Sequence, residues 1–213
     1  MENSATRVFI VRHGETRWNV EGRIQGHEDS PLTADGLRQA EALAKLIRHE
    51  GPAALYASDL GRSRETAAII ARACRLTPRF DERLRERKLG IFEGLTEAEI
   101  LDRHGAEWTR FRQRNPSYVV PGGESANERT LRAFACLEEV VRRHPGEVVA
   151  VVTHGGVLDG LFRIVVGLPL DAPRRFKIVN GALNLFTHEE GTWTLETWGS
   201  EEHLSSARSL EGL

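Results

Sequence analysis

The chain has 213 residues, of which 40% are hydrophobic and 28% charged, with a formal net charge of −2. That length suits one large domain or one domain with an insertion, and it buries enough surface to fold without disulfide or metal staples. The near-neutral balance excludes a global field for nucleic acid or an acidic membrane, so any anion site must be local.

Met1 to Thr6 is short and polar and fits no signal or transit peptide, and no apolar run approaches the ~20 residues of a membrane helix. The expectation is a cytoplasmic protein, with Cys74 and Cys136 as reduced thiols in helical segments. Val8-Phe9-Ile10-Val11 is apolar without alternation, the pattern of a strand buried on both faces, and it ends in Arg12-His13-Gly14-Glu15-Thr16. A polar stretch runs to Pro31. Thr33 then reads as an N-cap, with Leu37, Ala40, Leu43, Ala44 and Ile47 at helical spacing up to Gly51. Residues 53–57 read as a second strand, followed by Ser58 to Arg62 and a helix from about Ser63 to Ala73. Strand alternating with helix predicts an α/β fold with a mostly parallel sheet.

The middle differs. Leu95 to Asn115 reads as a charged helix carrying Trp108 and Phe111, and Pro116 to Glu124 breaks it before a long helix to about Arg143. Residues 90–125 are therefore expected to form a helical insertion in a single domain spanning 1–213. Val148 to Val152 predicts another buried strand, ending in Thr153-His154-Gly155-Gly156, with a helix to Val166. Segments 182–187 and 192–198 flank Glu189-Glu190-Gly191 as a hairpin.

Ligands of open α/β sheets bind beyond the carboxyl ends of the strands, so this topology gathers Arg12, His13, Arg62 and His154 at one edge. Such cationic groups repel one another until an anion arrives, and a phosphoryl group suits them. A neutral imidazole attacks phosphorus, arginine forks bind two oxygens, and a second histidine donates to the charge that builds up. The leaving alkoxide needs an acid. Glu86, in Leu84-Arg85-Glu86, is the candidate, with Glu93 a nearby competitor.

These segments resemble the histidine phosphatase superfamily, the phosphoglycerate-mutase-like enzymes of branch 1. Arg12 to Thr16 is similar to its phosphate-binding signature, continued by Asn19, Gly26, Leu32-Thr33 and Gly36. Ser58 to Ala67 resembles the second arginine loop, Leu84 to Glu86 with Gly90 and Glu93-Gly94 the acid loop, Gly122 to Ser125 the lid hinge, and Thr153 to Gly156 the second histidine. The resemblance implies a three-layer αβα sandwich with one antiparallel strand and a helical lid. It makes His13 the nucleophile and Glu86 the general acid/base. Arg12, Asn19, Arg62, His154 and the Gly155 amide would hold the phosphoryl group. Apart from the resemblance, Gln25 and Gly26 are further candidates for binding it, Gln25 from the opposite side of the pocket.

The expected activity is hydrolysis of a small-molecule phosphomonoester without metal or other cofactor, and a homodimer is compatible with the sequence. The runner-up is a mutase using 2,3-bisphosphoglycerate. Against it, the insertion is short and lacks an adjacent arginine pair followed by Ser-Tyr-Asp, and His154-Gly155-Gly156-Val157 stands where glycolytic mutases carry His-Gly-Asn-Ser. A non-catalytic phospho-ligand sensor is the reading from another class. A metal held by His13, His154 and Glu86 is disfavoured by the adjacent arginines. The Cys136-x5-Arg142 spacing lies in a glycine-free helix that cannot wrap phosphate. Arg110, Arg112 and Arg114 form either a solvated face or a reach over the pocket, and Arg23 and His27 could approach from the opposite side.

Overall fold

The computed structural model describes residues 5–204. Its strands are β1 (Thr6–Arg12), β2 (Ala54–Ala57), β3 (Arg79–Phe80), β4 (Val148–Thr153), β5 (Leu183–Glu189) and β6 (Thr192–Ser200). They form one sheet in the order β3-β2-β4-β1-β5-β6. The helices are α1 (Arg17–Glu21), α2 (Ala34–His49), α3 (Gly61–Cys74), α4 (Glu97–Arg112), α5 (Ala126–Arg143) and α6 (Gly155–Val165).

The two faces of the sheet explain the unalternating strands. Val8, Ile10, Tyr56, Val149 and Val151 point to one side and pack on Leu137, Val140 and Val141 of α5 and Leu158 and Leu161 of α6. Their neighbours Phe9, Val11, Leu55, Ala150 and Val152 point to the other, against Leu43, Ala44 and Ile47 of α2 and Ala67 and Ile70 of α3. Each large apolar side chain so buried contributes about 1.5–3 kcal/mol. The result is the expected αβα sandwich. β1, β2, β3 and β4 are mutually parallel, and β5 runs antiparallel to β1.

Register matters most for the site. Val11 stands beside Val152 in one pair and Ala57 beside Val152 in the other, so the three central strands end level. The helices start where caps dictate. The Thr33 hydroxyl accepts the Gly36 N–H at 3.0 Å, and Thr96 with Glu99 and Ser125 with Glu128 form capping boxes.

Within 90–125 lie a 3-10 turn at Gly90–Phe92, α4 and the loop leading to α5. Helix α4 is kinked at His104, whose φ of −140° and ψ of 34° are not helical. This segment has its own cluster of Phe92, Ile100, Trp108 and Val120, with Trp108 stacked on Phe111 at 5.3 Å between centroids.

Three details depart from expectation. Helix α3 begins at Gly61 rather than Ser63, so Arg62 lies in its first turn and not in a loop. The stretch before Pro31 contains α1, opened by a Thr16–Asn19 capping box. β3 is a two-residue strand pairing with β2. Much of the tail from Glu201 onward falls outside the described residues. Among those described, no helix is long and apolar enough to cross a membrane.

Candidate active site

The level strand ends set the first contacts. The His13 N–H donates to the Thr153 carbonyl at 3.0 Å and the Ser58 N–H to the Val152 carbonyl at 3.0 Å. His13, Ser58 and His154 therefore stand side by side, with the two imidazole centroids 5.2 Å apart. Gly14 lets the loop pass close to α2, because a Cβ on it would strike the backbone of Gly36 there.

His13 is 3% exposed. Its Nδ1–H donates to its neighbour's carbonyl, Gly14 O, at 2.8 Å, which leaves the lone pair on Nε2. Arg62 Nε–H donates to that Nε2 at 3.2 Å. Burial, then Arg62, then Arg12 hold the imidazole well below its usual pKa, which favours the neutral form.

His154 is fully buried. Ser58 Oγ accepts the Leu60 N–H at 3.3 Å and pairs with His154 Nε2 at 2.8 Å, the hydroxyl donating when the imidazole carries its proton on Nδ1. That Nδ1 is a buried atom without a partner in the protein. Burial, then Arg62, His13 and Arg12, push its pKa down as well.

Both histidines are thus neutral when folded but take up protons near pH 6.5 when unfolded. Below that pH the unfolded chain binds more protons, so stability is full above ~6.5 and is lost as pH falls. The slope is up to about 1.4 kcal/mol per pH unit for each histidine. Urea midpoints measured from pH 7.5 to 5 are expected to drop steeply in the wild type and less steeply in His154→Gln. Parallel profiles would show that His154 is not held neutral.

Arg62 is 1% exposed and clamped on every side. Its Nη1 donates to Glu28 O at 2.8 Å and Asp29 Oδ1 at 2.9 Å, and its Nη2 to Gly26 O at 2.8 Å. Asp29 also accepts the Gly61 and Arg62 N–H groups at 2.5 and 3.2 Å, capping a helix whose own N-cap, Leu60, cannot do so. Arg12 donates through Nη1 to Ile178 O at 2.9 Å, while its buried Nε has no partner. Burial lowers the Arg12 pKa to about 10, opposed by Glu86 and reinforced by Arg62 and Arg174. Gly155 lies against this guanidinium, where a Cβ would sit 3.5 Å from Nε.

Asn19 Oδ1 accepts the Thr16 N–H at 3.1 Å and Asn180 Nδ2–H at 3.2 Å, and Asn180 also donates to His13 O at 3.0 Å. Gln25 is buried with Oε1 unpartnered. Asp29 and Asn180 are the two neighbours that sequence reasoning missed. Each acts across more than thirty residues of chain, and no local pattern signals it.

Glu86 sits at the mouth. Its Oε1 accepts the Arg87 N–H and its Oε2 the Gly156 N–H, each at 2.7 Å, so it rests on the N-terminus of α6. A side chain at residue 156 would collide with this carboxylate, which is why glycine stands there. The Glu86 charge is felt at both Arg12 and Arg62. Glu93, the competitor, accepts the His27 and Leu89 N–H groups at 2.9 and 2.7 Å and braces the loops instead. His27 Nε2 donates to Glu86 O at 2.9 Å, whereas Arg23 turns away to Glu99 at 2.7 Å.

Beyond Glu86 and Gly156 opens a cavity of about 490 Å³, walled by Leu89, Trp108, Phe111 and Leu170 and lined with arginines. Arg112 and Arg114 reach it; Arg110 instead pairs with Glu107 at 3.1 Å. Cys136 lies within α5, as its surroundings predicted. Among the described residues no three His, Cys, Asp or Glu side chains are grouped to hold a metal ion.

A family model described as the histidine phosphatase superfamily, branch 1, matches residues 8–201. The "Metal-independent phosphoserine phosphatase" of Arabidopsis thaliana is 36% identical, over 99% of this chain and 88% of its own length. A "Probable phosphoglycerate mutase GpmB" of Yersinia pestis (strain Pestoides F) is 38% identical, over 90% of this chain and 89% of its own. The solved structure of Bacillus stearothermophilus YhfR superposes with a TM-score of 0.87 at 36% identity, covering 94% of this chain and all of that one.

Proposed function

Since the chain belongs to branch 1 of the histidine phosphatase superfamily, we propose that it hydrolyses small phosphomonoesters through a phosphohistidine on His13, without a metal. The observation that carries this reading is the state of His13: neutral, with Nδ1 fixed by Gly14 O and the Nε2 lone pair held by Arg62.

In the first step Nε2 attacks phosphorus as the bond to the leaving oxygen breaks. The carboxylic acid of Glu86 gives that oxygen its proton. Arg12, Arg62, Asn19, the Gly155 N–H and the unpartnered Nδ1–H of His154 stabilise the charge on the other three oxygens, and Gln25 and Gly26 close the far side. In the second step the Glu86 carboxylate takes a proton from water, whose oxygen attacks phosphorus. The P–N bond breaks, releasing inorganic phosphate and restoring the Nε2 lone pair. Residues 90–125 serve as a lid within one domain.

The relative named as a probable mutase supports a second reading, in which a substrate hydroxyl replaces water. One assay separates the two. With chelator present, phosphate release is followed from p-nitrophenyl phosphate and a phosphomonoester panel, beside 3-phosphoglycerate isomerisation with and without 2,3-bisphosphoglycerate. Phosphate release without isomerisation is expected. Bisphosphoglycerate-dependent isomerisation with little release would contradict it, and so would activity that vanishes with chelator.

A further inference from the structure

Arg129, on the first turns of α5, plays no part in the steps above, yet it is a buried cation at the edge of the site. The residue is 4% exposed and lines the cavity beside Glu86 and Gly156. A guanidinium has five N–H donors, and the protein uses one of them, from Nη2 to Thr130 Oγ1 at 2.9 Å. Its Nε is buried with no partner, and among the described residues no carboxylate pairs with it within 4.0 Å.

The neighbouring carboxylates are already engaged. Asp159 spends one oxygen on Arg163 Nε at 2.9 Å and the other on Arg174 Nε at 3.0 Å. Glu86 takes the Arg87 and Gly156 N–H groups. Arg87, by contrast, is a brace, donating to Glu124 O at 2.8 Å and Tyr118 O at 2.6 Å. Around the cavity stand five guanidinium groups, those of Arg87, Arg112, Arg114, Arg129 and Arg174, against two carboxylates. An unpaired buried charge is destabilising by several kcal/mol. Burial accordingly lowers the Arg129 pKa, with Glu86 and Asp159 opposing only through space.

We infer that Arg129 is a specificity-determining residue, which binds a second anionic group carried by the leaving group of the substrate. The substrate class is then a phosphomonoester whose alcohol also bears a carboxylate or a second phosphate. The reacting phosphoryl group lies at His13, and the other anion lies past Glu86 on the cavity floor, where a planar fork can bind two oxygens at once. This rests on the phosphatase reading above and adds the shape of its substrate.

The test compares substrates of one carbon skeleton: glycerol 3-phosphate, 3-phosphoglycerate and glycerol 1,3-bisphosphate, with p-nitrophenyl phosphate to establish turnover. The wild type is expected to favour the carboxylate or the bisphosphate over glycerol 3-phosphate by tenfold or more in kcat/KM, and whichever is preferred identifies the anion. In Arg129→Met that ratio should fall towards one, mainly through KM, and Arg129→Lys should restore part of it. A wild-type ratio near one overturns the inference by itself, whether or not the variants fold. So does an equal loss for all substrates in Arg129→Met, which would mean that Arg129 acts through Glu86 or the fold. If p-nitrophenyl phosphate is not turned over either, the phosphatase reading fails first and takes the inference with it.

Discussion

His13→Ala is expected to lose turnover by a factor on the order of 10⁶, the scale on which deleting the nucleophile disables a site that works as a unit. The site is built around one atom. Nε2 is the lone-pair nitrogen because Gly14 O takes the Nδ1 proton, and Arg62 meets it from the far side. Alanine removes that atom and leaves Arg12, His154 and most of the Arg62 clamp in place, so the variant should still bind inorganic phosphate or vanadate. Steady-state rates beside a binding titration check both halves. A rate within tenfold of wild type would remove His13 as nucleophile. Loss of both rate and binding would point instead to a collapsed pocket.

Glu86→Gln is expected to have the second largest effect, ~10²–10⁴-fold with alkyl phosphates. Glutamine keeps the shape and can still accept the Gly156 N–H, but it has no proton to give to a leaving alkoxide. The two chemical steps then separate by leaving group. p-Nitrophenolate needs almost no proton, so its first turnover should stay within about tenfold of wild type. The later attack of water, which also relies on Glu86, should lag. The expected trace is a burst of p-nitrophenol followed by a slow steady state. First-turnover losses of equal size for alkyl and aryl substrates would show that Glu86 is not the acid.

Much of this arrangement was readable in the chain because the key residues directly follow strands. Val8 to Val11 and Val148 to Val152 announce themselves as buried strands, and His13 and His154 come immediately after them. Parallel pairing in register then brings the two together without any further signal. Helix α2 declared its start through Thr33.

What escaped has physical reasons. Helix α1 is five residues long and has no buried face to impose a period, and its capping box uses Asn19 where glutamate or glutamine is the usual sign. β3 exists only through its pairing with Tyr56 and Ala57. Asp29 reads as one more acid in a polar loop, and its grip on Arg62 appears only when α3 is brought against that loop. Arg129 was the hardest to see. It lies between Glu128 and Thr130 on an amphipathic helix, where a charge normally faces water, and its burial is decided by Gly156, Gly160 and Glu86 from other parts of the chain. The surroundings of Glu86 and Glu93 were equally hidden, since the Gly156 N–H that meets Glu86 and the His27 N–H that meets Glu93 come from distant parts of the chain.

A phosphohistidine on His13 is tested most directly by a rapid acid-free quench of the enzyme during turnover of a ³²P-labelled phosphomonoester, followed by peptide mapping. Label is expected to approach one phosphoryl group per chain, stable in alkali, lost in acid and confined to the peptide carrying His13. Turnover without a labelled chain, label on another residue, or tight phosphate binding with neither label nor turnover would each contradict it.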